Sequence, residues 1–117
     1  MSDQMVIYHN PRCSKSRAAL KLLQERGIEP QIIEYLKSPP SAARLKELLA
    51  MLDMAPRDLM RKGEDPYKNL GLSDENLDDD TLIAAMVDNP ILIERAIVVA
   101  SGKARLGRPP EQVLELL

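Results

Sequence analysis

Apolar residues recur along this chain in two alternating rhythms. Met5 to Tyr8 is a short β-branched and aromatic run that stops at the turn residues Asn10 and Pro11, the pattern of a buried strand entering a loop. From Ser16 the spacing turns helical. Ala19, Leu22 and Leu23 share one face, Lys21 and Glu25 lie opposite, and Gly27 stands at the C′ position. Gln31 to Tyr35 predicts a second strand. Strand, helix and strand joined by short links imply a right-handed crossover and parallel pairing.

The middle of the chain is helical in period. In SPPSAARLKELLAML, Ser38 or Ser41 can cap, the prolines suit a first turn, and Leu45, Leu48, Leu49 and Leu52 align on one face. A short helical piece is expected around Arg57 to Arg61, followed by the turn-rich Gly63-Glu-Asp-Pro66. The acidic run Asp78-Asp79-Asp80 suits a helix start, through capping and the macrodipole, better than a metal site. Leu82, Ile83, Met86 and Val87 form the buried face of that helix, and Asn89-Pro90 ends it. Ala96 to Ala100 and Ala104 to Gly107 flank a tight turn at Ser101-Gly102 and predict a β-hairpin. Pro109-Pro110 then opens a C-terminal helix carrying Val113, Leu114 and Leu117. The expected fold class is α/β: β-α-β, a helical insertion at about 41–90, then β-β-α, in a single domain over residues 1–117.

Composition narrows the functional classes. With three Tyr and no Phe or Trp, the core must be built from aliphatic side chains and Met. A net charge of -2 gives no bulk basic character, so neither nucleic acid nor a membrane is expected as a partner. The first ten residues lack a signal-peptide pattern and no apolar run is long enough to span a bilayer, which places the expected location in the cytoplasm. One cysteine excludes an intrachain disulfide framework.

That cysteine, Cys13, lies where the first strand hands over to the first helix. Unpaired N–H groups of a first helical turn and the helix dipole both favour thiolate over thiol there. Arg12, Lys15 and Arg17 stand within four residues and His9 just upstream. A thiol so placed can have its pKa lowered from about 8.5 into the ~3.5–7.5 range. The same amides would cradle an oxyanion approaching the sulfur. Further on, Arg61 follows the short helical piece, Arg95 precedes the third strand and Arg108 follows the fourth. The third strand should run opposite to the first, so the hairpin brings Arg95 and Arg108 to the sheet end beside Cys13. Guanidinium forks suit tetrahedral oxyanions because they make bidentate, permanently charged contacts. With no second cysteine, turnover by a disulfide route requires an external thiol.

The segment IYHNPRCSKSRAAL resembles the strand-loop-helix of the glutaredoxin-coupled arsenate reductases, the ArsC type, with the His-x3-Cys-x3-Arg pattern at His9, Cys13 and Arg17. The similarity continues through EYLKSPPS, DLMRK, DPYKNLGL, NPILIERAIVV and RLGRPPEQVLELL. This resemblance implies a thioredoxin-like fold with a four-stranded mixed sheet and a helical insertion. It implies Cys13 as the catalytic nucleophile toward arsenate or a similar oxyanion, His9 and Arg17 as thiolate-stabilising groups, and Arg61, Arg95 and Arg108 as oxyanion-binding groups. Glutathione is the implied co-substrate and glutaredoxin the implied partner, with no tightly bound cofactor, no metal and a monomeric chain. Ser14-Lys15 stands where the family carries Gly-Thr, and Ala96 where it usually carries proline. Two other readings share parts of the pattern. Cys13-Ser-Lys-Ser16 has the Cys-x-x-Ser form of a monothiol glutaredoxin, and the Spx-type polymerase-binding regulators share the fold but usually carry Cys-x-x-Cys. A phosphatase-like arsenate reductase would need Arg six residues after the cysteine, where Ala19 stands.

Overall fold

The computed structural model describes residues 5–94, 96–100, 102–107 and 110–116. It divides into two compact units, one formed by residues 1–38 and 95–117, the other by residues 39–94.

The first unit is a four-stranded mixed sheet, as the alternation of apolar runs predicts. β1 (Val6–His9), β2 (Gln31–Glu34), β3 (Ile97–Ala100) and β4 (Lys103–Leu106) lie in the order β2-β1-β3-β4. β1 pairs parallel with β2 across the α1 (Ser14–Glu25) crossover and antiparallel with β3, while β3 and β4 form the expected hairpin. The register sets Ile7 opposite Val98 and Tyr8 opposite Ile97, so the start of β3 lies beside the end of β1. A hydrogen bond from Gly107 N–H to Ala96 C=O (2.8 Å) extends the hairpin by one rung. β3, interior to the sheet, is buried at all four positions, whereas the edge strand β2 exposes Gln31 and Ile32.

Ile7, Ala19, Leu23, Ala96, Val98 and Val113 form one fully buried aliphatic cluster, with Met5, Leu20, Ile28 and Leu116 packed around it. α1 ends as its glycine predicts. Gly27 adopts φ 78°, its N–H bonds to Gln24 C=O, and Ile28 N–H bonds back to Leu23 C=O. That is a Schellman closure, with Ile28 joining Leu23 in the cluster. The C-terminal segment Pro110–Leu116 packs against α1 and β4, but as a 3-10 helix rather than the expected α-helix. Its predicted anchor Val113 is fully buried, while Leu117 lies outside the described residues.

Gly107 is buried where a Cβ would stand 3.0 Å from the Ala19 Cβ and 3.6 Å from Val113 Cγ1. The Ala19 methyl is fixed to the helix backbone and has no rotamer into which to retreat. Gly107→Ala should therefore destabilise the protein by about 1–3 kcal/mol through overpacking, read as a lower urea midpoint at unchanged slope.

The second unit packs α2 (Ala42–Leu52) against α4 (Asp79–Asp88), with 3-10 turns at Pro56–Leu59 and Pro90–Leu92 and a short α3 (Asp65–Asn69). Leu45, Leu48, Leu59, Leu82, Met86, Leu92 and Ile93 are its largest fully buried side chains among the described residues. Ser41 caps α2 by accepting from Arg44 N–H (3.1 Å), so Pro39-Pro40 precede the cap instead of occupying the first turn. The acidic run behaves as a cap. Asp78 accepts from Thr81 N–H (2.8 Å), and hydrogen bonding from the Thr81 side chain, with that backbone bond second, lowers its carboxyl pKa from the ordinary value. The expected helical piece at Arg57 to Arg61 is shorter than predicted, because Met60 leaves it to form an antiparallel bridge with Ile93. The turn-rich stretch at Gly63 leads into α3, whose first turn contains Pro66.

Candidate active site

Three links place Cys13. α1 starts at Ser14, two residues before the sequence pattern suggests, which makes Cys13 its N-cap with extended backbone (φ -97°, ψ 124°). Its N–H donates to Asn10 C=O and its C=O accepts from Arg17 N–H, both at 3.0 Å. The residue is half-buried at the end of a tight turn between β1 and the helix. A preferred capping side chain would hydrogen-bond the N2 or N3 amide, yet Cys13 makes no side-chain cap bond. The first turn of α1 contains no acidic residue; Lys15 and Arg17 stand there instead.

Beneath the turn lies a compact polar network. His9, Asn10 and Ser16 are the buried polar residues among those described, exposed by 6%, 5% and 0%. The Ser16 hydroxyl accepts from Asn10 N–H at 3.0 Å and lies 2.7 Å from His9 Nδ1. Asn10 Oδ1 in turn accepts from Arg12 N–H (3.0 Å). The hydroxyl has one proton and a second lone pair left for Nδ1, so it donates to the ring when the imidazole proton is on Nε2 and accepts from it when that proton is on Nδ1. Strand periodicity explains the encounter. His9 lies two residues beyond Ile7 and shares its face, toward the α1 residues Ser16, Ala19 and Leu23.

Burial is the chief reason that the His9 pKa lies below its ordinary 6.5; Glu34 nearby opposes the shift and Arg17 adds to it. At neutral pH the ring therefore supplies an N–H donor rather than a full positive charge. Because the folded protein disfavours the imidazolium, the stability that His9 contributes is fully present above pH 6.5 and is lost as pH falls through the lowered folded value. Urea midpoints should thus fall more steeply from neutrality to ~pH 5 in the native protein than in His9→Gln. Parallel pH profiles for the two would refute the assignment.

His9, Cys13 and Arg17 lie along one strand-turn-helix, at the end of β1, the N-cap of α1 and the first turn of α1 respectively. Arg17 is exposed, and its Nη1 donates to Pro11 C=O (2.9 Å), bracing the segment before the thiol. Arg61 belongs to the second unit, where its guanidinium meets the carboxylates of Glu64 and Glu94 and its N–H donates to Leu92 C=O (2.7 Å). Arg95 and Arg108 lie outside the described residues; their neighbours Ala96 and Gly107 are the pair joined across the hairpin.

A strand-turn-helix with a lone cysteine capping the helix, on a sheet ordered β2-β1-β3-β4, is the frame for comparison with known proteins. The description of the ArsC family matches residues 8–116. The chain belongs to the ArsC family.

Other members are similar over nearly full length. An uncharacterised protein of Escherichia coli K12 is 59% identical, with 100% of this chain and 99% of that protein covered. An arsenate reductase of Neisseria meningitidis serogroup A is 50% identical over 97% of this chain and 98% of its own. A solved structure described as an arsenate reductase from Vibrio cholerae superposes with a TM-score of 0.96 at 54% identity, both chains being covered completely. The ArsC fold of this chain is thioredoxin-like, as expected from its sequence. No helix among the described residues is long and apolar enough to cross a membrane.

Two participants escape a reading of the sequence alone, Ser16 and Asn10. Ser16 has a recoverable signal, since Ser16, Ala19 and Leu23 form an i, i+3, i+7 stripe. A hydroxyl in an apolar stripe demands a buried partner. Asn10 carries no signal beyond that of a turn residue.

Proposed function

We propose that the chain reduces arsenate to arsenite through Cys13, with glutathione as co-substrate and glutaredoxin as partner. The Cys13 thiolate attacks the As(V) centre and an arsenic oxygen leaves as water after protonation, giving a thiol-arsenate adduct. A glutathione thiolate then attacks the Cys13 sulfur. The As–S electron pair moves to arsenic, which departs as As(III), and Cys13 is left as a mixed disulfide with glutathione. A glutaredoxin thiolate takes the glutathionyl group and restores the Cys13 thiolate. Two thiols supply the two electrons.

What carries this reading is the position of Cys13 as an N-cap flanked by Arg12, Lys15 and Arg17, in a chain half identical to proteins named arsenate reductases. A helix N-terminus favours the thiolate and, in the same place, the developing negative charge on the oxyanion. Arg61, Arg95 and Arg108 serve as guanidinium contacts to the oxyanion. At Arg61 the incoming anion competes with Glu64 and Glu94 for the cation. The disulfide route requires a reducing compartment such as the cytoplasm, where glutathione maintains thiols.

The test is arsenate-dependent NADPH oxidation with glutathione, glutaredoxin and glutathione reductase supplied. Oxidation should rise with arsenate, saturate and require both thiol components. A rate independent of arsenate would refute the substrate, and a rate retained without glutathione would refute the coupling.

A further inference from the structure

The chain carries 18 acidic and 16 basic residues, yet no Asp or Glu occurs from Gln4 to Gln24. That stretch holds four cations, Arg12, Lys15, Arg17 and Lys21, and all four are exposed. None of them is in an ion pair among the described residues, whereas Lys37, Arg44, Lys46, Arg61 and Arg105 each face a carboxylate. α3 and α4 place Asp in their first turns, as the macrodipole favours, whereas α1 and α2 have no acidic residue there, and α1 carries two cations in that turn, Lys15 and Arg17. Charge is thus segregated onto the helix that begins at the thiol.

The cations extend farther than a small substrate can reach. Ser14, Arg17 and Lys21 follow one another at i, i+3 and i+7 on the exposed side of α1. Lys21 lies about 12 Å along the axis from Cys13 at ~1.5 Å per residue. An oxyanion bonded to the sulfur can meet Arg12 or Lys15 but not Lys21. A macromolecular surface can meet all of them.

We propose that the exposed face of α1 from Cys13 through Ser14 and Arg17 to Lys21, rimmed by Arg12 and Lys15, is a docking surface for a protein that presents its own cysteine within an acidic surface. The occupant follows from two facts. From Arg12 to Lys21 the face carries four cations and no carboxylate of its own segment, which selects a negative partner, and the chain has one cysteine, so the sulfur that exchanges with Cys13 must come from another molecule. This inference rests on the reading that Cys13 passes through a mixed disulfide, and it holds whether or not arsenate is the substrate.

The test omits arsenate. Two synthetic peptides of about ten residues, each with a terminal cysteine followed by alternating Glu-Ala or Lys-Ala, are prepared as mixed disulfides with thionitrobenzoate. Cys13 thiolate attacks the peptide sulfur, the new S–S bond joins the peptide to Cys13, and thionitrobenzoate leaves with the electron pair and is read by its absorbance. At low salt the Glu peptide should react about tenfold faster than the Lys peptide, and the ratio should collapse as salt is raised. Lys21→Glu should erase much of that preference while leaving the rate with the uncharged hydroxyethyl disulfide of thionitrobenzoate unchanged. Equal rates for the two peptides, or a preference untouched by Lys21→Glu, would overturn the docking surface alone. Failure of Cys13 to react with any of the three disulfides would overturn it together with the thiol reading.

Discussion

Replacing Cys13 by Ser should abolish arsenate-dependent turnover and at the same time leave the protein as stable as before or more so. The two effects have separate physical origins. Turnover needs a polarisable, ionisable sulfur to bond arsenic and then form a disulfide, and a serine hydroxyl can do neither at neutral pH. Activity should therefore fall to the uncatalysed background. Stability depends instead on capping. Cys13 occupies the N-cap of α1 without donating or accepting a side-chain cap bond, and serine is among the best residues for that position. Its hydroxyl can accept from the N–H of Lys15 or Ser16, which adds up to about 1 kcal/mol, a rise of a few degrees in Tm. Circular dichroism melts beside the coupled assay measure both. Retained turnover in Cys13→Ser would end the proposed chemistry. A loss of stability of ~1 kcal/mol or more would show that the thiol has a structural role which the capping argument ignores.

The same position illustrates what the sequence makes legible. The order of strands and helices follows from period-two and period-3.6 stretches separated by Asn-Pro, Gly and Pro-Pro signals, and the register of Tyr8 with Ile97 follows from the antiparallel return of β3. Errors cluster where a local pattern competes with tertiary pairing. Met60 leaves its helical turn because Ile93 offers a bridge, and Pro110–Leu116 tightens to a 3-10 helix against α1 and β4. Cys13, His9 and Arg17 can be assembled from sequence because they lie within nine residues. The surroundings of Arg61 cannot, since its partner Glu94 comes from a distant stretch of chain and nothing periodic links them. Ser16 was concealed for a different reason. In the string Cys13-Ser-Lys-Ser16 it reads as the second position of a redox motif, and only its fully buried hydroxyl, shared by His9 and Asn10, shows that it works from below the thiol rather than beside it.

Ser16→Ala is accordingly expected to be the most damaging conservative substitution near the site. Removing one hydroxyl orphans two buried groups, the Asn10 N–H and His9 Nδ1. Each unsatisfied group costs about 1–3 kcal/mol, offset by a few tenths for alanine's better helix propensity. A net loss of about 2–5 kcal/mol follows, a large share of the stability of a small domain. The consequence for chemistry runs through Asn10. Its C=O receives the Cys13 N–H and its side chain the Arg12 N–H, so freeing Asn10 loosens the turn that holds Cys13 at the start of α1. The pH profile of Cys13 alkylation by iodoacetamide should shift toward that of an unstructured cysteine, an effect that a remote core mutation of equal cost would not produce. His9→Gln offers the control. Since His9 and Ser16 share one hydrogen bond, the double variant should lose less than the sum of the singles, by ~0.5–3 kcal/mol. Strict additivity, or an alkylation profile identical to that of the native protein, would place Ser16 outside the machinery that positions the thiol.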